Sequence, residues 1–379
     1  MRKTISVIFG TRPEAIKLAP VIQELRNEDS IDCIVCITAQ HRGMLDEVLE
    51  IFSIEPDVDL DLMRPNQGLA DLSGRALRAL DEYIKRVSPD LVLVQGDTTT
   101  TFCAALAAFY NQVSVGHVEA GLRTQDLAAP WPEEGNRQLT SRLAALHFAP
   151  TEINRDNLIR EGVDQSRVFV TGNPVIDALL QVTGRGEQEQ DDLKTQTPDS
   201  KSTRSERPVV LITAHRRESF GEPLESVCRA ILRLAVVFSQ YHFVYSVHPN
   251  PNVTGMVERM LGPYAGDNLS LIEPVGYLAF VKLMASAKLI LTDSGGIQEE
   301  APSLGVPVLL LRGCTERPEG ITAGATKIVG TDEDRIVEAF HELLPDGPEY
   351  RKMAQARNPY GDGQANRRIV KECVGFLRG

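Results

Sequence analysis

No run of apolar residues in this chain approaches the roughly 18 that a membrane-spanning helix requires. The first apolar stretch, Ile5–Phe9, alternates with polar residues and runs into Gly10-Thr11-Arg12-Pro13-Glu14, so it reads as a strand and not as a signal peptide. Cysteine is scarce as well: six in 379 residues, scattered without a framework. Cys33 and Cys36 fall in one predicted strand, where a spacing of three points them to opposite faces. No second Cys/His pair has ligand spacing, so neither a disulfide scaffold nor a metal site is expected, and the thiols read as reduced residues of a cytoplasmic protein. Positive charge is in deficit, 40 basic against 52 acidic side chains and a net charge of −12, which argues against nucleic-acid or anionic-membrane binding. The G-x-G-x-x-G fingerprint of dinucleotide binding is missing after the first strand, where Gly10-Thr11-Arg12-Pro13 stands instead.

What is present is a βα repeat. Short β-branched runs at Thr4–Phe9, Cys33–Thr38, Leu91–Gln95, Val113–Val118, Leu146–Ala149 and Val168–Thr171 alternate with helical patterns. The pattern restarts at Val209–Thr213, Phe243–Val247, Leu269–Ile272, Leu289–Thr292, Val306–Leu310 and Thr326–Val329. This predicts an α/β protein with two parallel sheets in tandem, two Rossmann-like domains facing a central cleft. The expected boundaries are 1–172 for the first domain, rejoined by a C-terminal helix over 363–379, and 173–362 for the second. Residues 183–207 are nearly devoid of apolar side chains and read as a polar mobile excursion.

Ligands of open parallel sheets bind beyond the carboxyl ends of the strands. In this chain few of those ends are apolar: they carry Arg12, Gln40-His41-Arg42, Asp97, Glu119, His215-Arg216, His248, Ser294-Gly295-Gly296, Arg312 and Arg317. Leu291–Glu300 reads as a buried strand turning at Asp293-Ser294-Gly295-Gly296 into a helix whose first turn carries Glu299 and Glu300. Two glycines and a helix N-terminus suit a phosphate, and a carboxylate one turn on suits a ribose diol. Arg12 ahead of Pro13 reads as a phosphate ligand or as an ion-pair partner of Glu14. His215, beside Arg216 and Arg217, could donate to a departing diphosphate or be structural. Asp97 reads either as an acid/base or as a helix N-cap, whereas Glu119 and the Glu133-Glu134 pair have no such local explanation.

Taken in order, Gly10-Thr11-Arg12-Pro13-Glu14-Ala15-Ile16-Lys17, Gly96-Asp97-Thr98-Thr99-Thr100, His117-Val118-Glu119-Ala120-Gly121-Leu122-Arg123 and Pro132-Glu133-Glu134-Gly135-Asn136-Arg137 make a long match. With Thr171-Gly172-Asn173-Pro174, His215-Arg216-Arg217-Glu218, Thr292–Glu300 and Thr315-Glu316-Arg317-Pro318-Glu319, the chain resembles the non-hydrolysing bacterial UDP-N-acetylglucosamine 2-epimerase family over nearly its whole length. The resemblance implies the GT-B, glycogen phosphorylase-like architecture, a homodimer, and interconversion of UDP-GlcNAc and UDP-ManNAc by elimination and re-addition of UDP without a cofactor. Carried over by position, Asp97, Glu119 and Glu133 become the acid/base set and His215 assists departure of UDP. Arg12, Ser294, Gly295 and Gly296 would hold the diphosphate, Glu300 the ribose and Phe280 the uracil, with Lys17 and Arg317 as charged positions near the nucleotide. Family members also bind a second UDP-GlcNAc as activator, at positions matched by Gln40, Glu133, Arg216 and His248. Gly43 and Asn66 depart from the family pattern beside that site. A hydrolysing 2-epimerase, or one acting on a related UDP-diacetamido sugar, is the alternative.

Overall fold

The computed structural model describes residues 2–38, 42–64, 67–185, 207–216, 219–343 and 347–379. Most of the polar excursion expected at 183–207 therefore lies outside the described residues, as do Gln40 and Asn66. The chain divides into two units, Met1–Leu180 with Tyr360–Gly379, and Gln181–Pro359.

The first unit is built from β1 (Lys3–Phe9), α1 (Arg12–Arg26), β2 (Ile31–Ile37), α2 (Arg42–Ile51), β3 (Val58–Asp59), α3 (Leu69–Val87), β4 (Leu91–Gln95) and α4 (Thr99–Tyr110). It continues with β5 (Ser114–Val118), α5 (Glu133–Leu143), β6 (Leu146–Ala149), α6 (Glu152–Arg160), β7 (Val168–Val170) and α7 (Pro174–Arg185). The strands form one parallel seven-stranded sheet in the order β3-β2-β1-β4-β5-β6-β7. Central strands covered on both faces must be apolar throughout, and Ile5, Val7, Ile8 and Leu91–Val94 are fully buried. The two-residue strand β3 is the one element of this sheet that the sequence pattern did not announce, because it is too short for a periodicity.

The second unit repeats the plan with β8 (Val209–Thr213), α8 (Glu222–Val237), β9 (His242–Ser246), α9 (Pro251–Leu261), β10 (Leu269–Ile272), α10 (Tyr277–Ser286), β11 (Ala287–Thr292) and α11 (Gly295–Glu300). There follow β12 (Val308–Leu310), α12 (Pro318–Thr322), β13 (Thr326–Ile328), α13 (Glu333–Glu342) and α14 (Pro348–Ala354). Its sheet is parallel and six-stranded, ordered β10-β9-β8-β11-β12-β13.

The last helix, α15 (Ala365–Arg378), belongs to the first unit. Asn173 N–H donates to the Tyr360 carbonyl at 2.6 Å, Arg368 donates to the Thr171 carbonyl at 3.0 Å, and Asp177 accepts the Asn366 N–H at 2.9 Å. The edge of the first unit accordingly falls inside α7, after Leu180, later than residue 172: the first turns of α7 carry Asp177 and pack with that unit.

Candidate active site

Acidic side chains collect at the carboxyl ends of β4 and β5. Gly96, at φ +75°, turns the chain sharply out of β4, and the buried ring of His117 fixes that turn by donating from Nε2 to the Gly96 carbonyl at 2.7 Å. A carbonyl only accepts, so Nε2 carries the proton, and burial holds this histidine neutral by pushing its pKa down to about 3. Asp97 comes next. Arg137 donates to its Oδ2 through Nε at 3.1 Å and through Nη2, while the Asn136 side chain donates to its carbonyl at 2.9 Å. The N-cap of α4 is Thr98, whose hydroxyl accepts the Thr101 N–H at 3.1 Å, so the capping alternative for Asp97 does not hold.

Glu119 follows β5 in the left-handed region at φ +65°, an uncommon conformation for a residue other than glycine and one that costs on the order of 1 kcal/mol. Three donors converge on its nearly buried carboxylate: Lys17 and Asn173 at Oε1, the latter at 2.9 Å, and Gln95 at Oε2. Its Oε2 lies 3.6 Å from where a Cβ on Gly96 would stand, so the Asp97 and Glu119 turns are neighbours. Glu133 opens α5, one turn before Arg137, and is half-buried with no ion pair or side-chain hydrogen bond among the described residues. Its neighbour Glu134 is spent on structure, accepting from Arg137 at 3.0 Å, Gln138 at 2.8 Å and the Thr124 N–H at 3.1 Å.

Arg12 does not pair with Glu14. The Glu14 carboxylate is buried against the Gly10 and Thr11 N–H groups and the Thr98 hydroxyl, which leaves the half-buried Arg12 guanidinium without an ion pair among the described residues. The Gly10 and Thr11 amides ahead of this helix are thus already engaged by the Glu14 carboxyl group.

In the second unit Ser294, Gly295 and Gly296 follow β11 and begin α11. Thr292 Oγ1 accepts the Ser294 N–H at 3.0 Å, and the N–H groups of the two glycines have no acceptor among the described residues. Arg317 lies against Gly295: an added Cβ would meet Nη1 at 2.5 Å, so a larger residue there would displace the guanidinium. Arg317 is itself held by Glu299 Oε1 and Glu316 Oε1, both at 2.6 Å. Burial acts to raise the pKa of Glu316, yet Arg317, Arg312 and Arg216 together hold it down at about 2. Glu299 and Glu300 are the fifth and sixth residues of α11 and so stand in its second turn, not its first. Glu299 is committed to Arg317, and Glu300 is nearly buried.

His215 leaves β8 beneath Asp293, whose Oδ1 is 3.3 Å from Nδ1 without hydrogen-bond alignment. Its ring stacks on His248 at 5.0 Å. Burial lowers the His215 pKa, Asp293 opposes this, and His248 and Arg216 add to the lowering. Phe280 lies half-buried on α10. Gly43 is exposed on α2 with open space around its Cα. Gln95, Asn173, Arg137, Glu299 and Glu316 were missed as site residues because each serves by holding another side chain, and Asp293 because it holds the main chain at His215 and Arg216; a partner across the sheet leaves no mark in local spacing. No group of His, Cys, Asp and Glu suited to a metal occurs among the described residues, and no helix among them is long and apolar enough to cross a membrane.

Two parallel, helix-alternating Rossmann-like sheets in tandem are the GT-B architecture of α/β proteins. A glycotransferase of kitacinnamycin shares the fold at 13% identity, with a TM-score of 0.66 over the whole of both chains. Residues 23–373 match the family model described as UDP-N-acetylglucosamine 2-epimerase. The Escherichia coli K12 UDP-N-acetylglucosamine 2-epimerase is 53% identical over 378 residues, 97% of each chain, and the Bacillus subtilis one 50% identical over 98% of this chain and 94% of its own. A crystal structure of UDP-GlcNAc 2-epimerase from Neisseria meningitidis bound to UDP-GlcNAc is 48% identical, with a TM-score of 0.92 over 98% of this chain and 100% of that one. The chain belongs to the UDP-N-acetylglucosamine 2-epimerase family and is an enzyme of the isomerase class.

Proposed function

We propose that the protein interconverts UDP-GlcNAc and UDP-ManNAc by anti elimination and re-addition of UDP, with 2-acetamidoglucal held between the two steps. The observation that carries this reading is the placing of Asp97 and Glu119 at the ends of neighbouring strands of the first sheet, Asp97 held by Arg137 and Glu119 by Lys17, Asn173 and Gln95, with Glu133 half-buried at the start of α5, one turn before Arg137.

The proton on C2 of the sugar is not next to a carbonyl, so no ordinary base removes it unaided. Departure of UDP with the C1–O electron pair builds positive charge on the ring. A carboxylate then takes the C2 proton, and the C–H electrons form the C1=C2 bond. Return of the UDP oxygen to C1, with a proton delivered to C2 from the opposite face, gives the epimer. That sequence needs an acid/base group for each face and a stabilised leaving group.

Asp97, Glu119 and Glu133 supply the acid/base groups. Lys17, as partner of Glu119, tunes that carboxylate. Glu133 is half-buried and has no ion pair or side-chain hydrogen bond among the described residues. Arg12 and the Ser294-Gly295-Gly296 turn hold the diphosphate, Arg317 lends a fixed positive charge beneath Gly295, Glu300 binds the ribose and Phe280 covers the uracil. His215, neutral at rest, assists departure of UDP. We infer for this chain also the homodimer and the activating second UDP-GlcNAc of the family, with Arg216 and His248 at the latter.

The deciding experiment is proton NMR of UDP-GlcNAc with the purified protein in D2O. The expected result is UDP-ManNAc, with deuterium at C2 of both epimers. Free ManNAc and UDP would make the protein a hydrolysing epimerase, and an unchanged spectrum would remove UDP-GlcNAc as its substrate.

A further inference from the structure

In the first sheet the strand order reverses between β1 and β4, and in open parallel sheets the crevice beyond such a pair is where ligand groups settle. Here the chain fills it with a carboxylate of its own. Glu14, 1% exposed, reaches back from α1 so that Oε2 accepts the N–H groups of Gly10 at 3.1 Å and Thr11 at 2.8 Å. Its Oε1 accepts the Thr98 hydroxyl at 2.8 Å. Thr98 Oγ1 is already the acceptor of the Thr101 N–H, so its single proton is aimed at Glu14. Thr101 Oγ1 lies 3.1 Å from Glu14 but 2.6 Å from the Gln95 carbonyl, where its proton is better placed.

No cation among the described residues pairs with Glu14, and burial pushes its pKa up. A buried carboxylate without a counter-charge is an expensive way to fill space. Its geometry accounts for it: one oxygen holds the turn that leads into Arg12, and the other holds the residue that follows Asp97.

We propose that Glu14 is a positioning residue, an internal carboxyl group that brackets the β1–α1 turn to the β4–α4 turn and through Thr98 aims Asp97. The role rests on the functional reading of Asp97 given above. It also leaves the substrate diphosphate to groups other than the Gly10 and Thr11 amides.

The two arms can be cut separately. Thr98→Val removes the hydroxyl from Oε1, and with it the N-cap of α4, while leaving the Oε2 arm in place; Thr98→Ser keeps both the arm and the cap. Glu14→Gln keeps an amide oxygen for Gly10 and Thr11 but sets an NH2 donor against the Thr98 hydroxyl. Deuterium incorporation at C2 of UDP-GlcNAc in D2O, measured well below each variant's melting temperature, should fall tenfold or more in Thr98→Val and Glu14→Gln. Their UDP dissociation constants should stay within threefold of wild type, and Thr98→Ser should exchange within twofold of it. Wild-type exchange in Thr98→Val or Glu14→Gln, a loss that Thr98→Ser shares, or a parallel loss of UDP affinity would each overturn the positioning role while leaving the epimerase reading intact. A wild-type protein that exchanges nothing would sink the epimerase reading, and the positioning role with it.

Discussion

The carboxylate of Asp293 accepts the main-chain N–H of His215 at 2.7 Å, and so ties the end of β11 to the end of β8. The same Oδ2 takes the Arg216 N–H at 2.8 Å. β8 and β11 are the strands between which the second sheet's order reverses, as β1 and β4 are in the first. Both sheets therefore close their switch points with an internal acid, one sent from a strand end and the other from a helix.

This arrangement sets the charge of His215. Burial is the main influence and keeps the ring neutral below its ordinary value of 6.5, with His248 and Arg216 adding to the effect against Asp293. A diphosphate arriving beside it would restore the protonated form. UDP binding between pH 6 and 7 should therefore take up more protons in the wild type than in His215→Asn. Calorimetry in buffers of different ionisation enthalpy reads this directly, and equal uptake would separate His215 from the diphosphate.

Chemistry and binding should also come apart by residue. Asp97→Asn and Glu119→Gln keep the shape of each side chain, so turnover should be abolished while UDP affinity is nearly intact. Arg12→Ala should do the reverse and weaken UDP by roughly 2 kcal/mol or more, the scale of a charge-assisted hydrogen bond left unmade. Steady-state kinetics and titration with UDP test both; activity within tenfold of wild type in either amide variant would refute the acid/base assignment.

Glu316 makes a stability prediction whose sign follows from its partners. Its pKa is lowered from 4.5 to about 2 by Arg317, Arg312 and Arg216 against the effect of burial. The stabilisation is therefore complete above 4.5 and is lost as pH falls toward 2. Glu316→Gln should cost about 3 kcal/mol at pH 7, with the gap to wild type closing between pH 4.5 and pH 2. Urea unfolding at several pH values checks this, and a gap that ignored pH would show that the three arginines are not the cause.

The sheets were legible because buried parallel strands must be apolar and β-branched along their whole length: all twelve strands expected from such runs are present, and only the short edge strand β3 lacked a signal. Side-chain alliances were less legible. Nothing in local spacing says that Arg137 would reach Asp97, that Asn173 would reach Glu119, or that Glu14 would prefer backbone amides to Arg12, since each is settled by strand order. Capping went to Thr98 over Asp97 because the turn at Gly96 sends the aspartate away from the helix axis toward Arg137.

Asp177 gives the last prediction, and it runs opposite to Glu316. It is 3% exposed, caps α15 by accepting the Asn366 N–H at 2.9 Å, and has no partner at Oδ2 among the described residues. Burial raises its pKa from 3.8 to about 6, with Asp362 adding to the shift and the Asn366 and Ala365 amides opposing it. Between those values the unfolded chain gives up a proton that the folded protein keeps. Stability is therefore fullest below 3.8 and is lost as pH rises through about 6, by about 2–3 kcal/mol in all. Asp177→Asn cannot titrate and should not show this loss, so its stability relative to wild type should climb between pH 4 and pH 7 and level off above. A constant difference over that range in urea unfolding would mean that the carboxylate reaches solvent, and that α15 is held by its other contacts with the first unit.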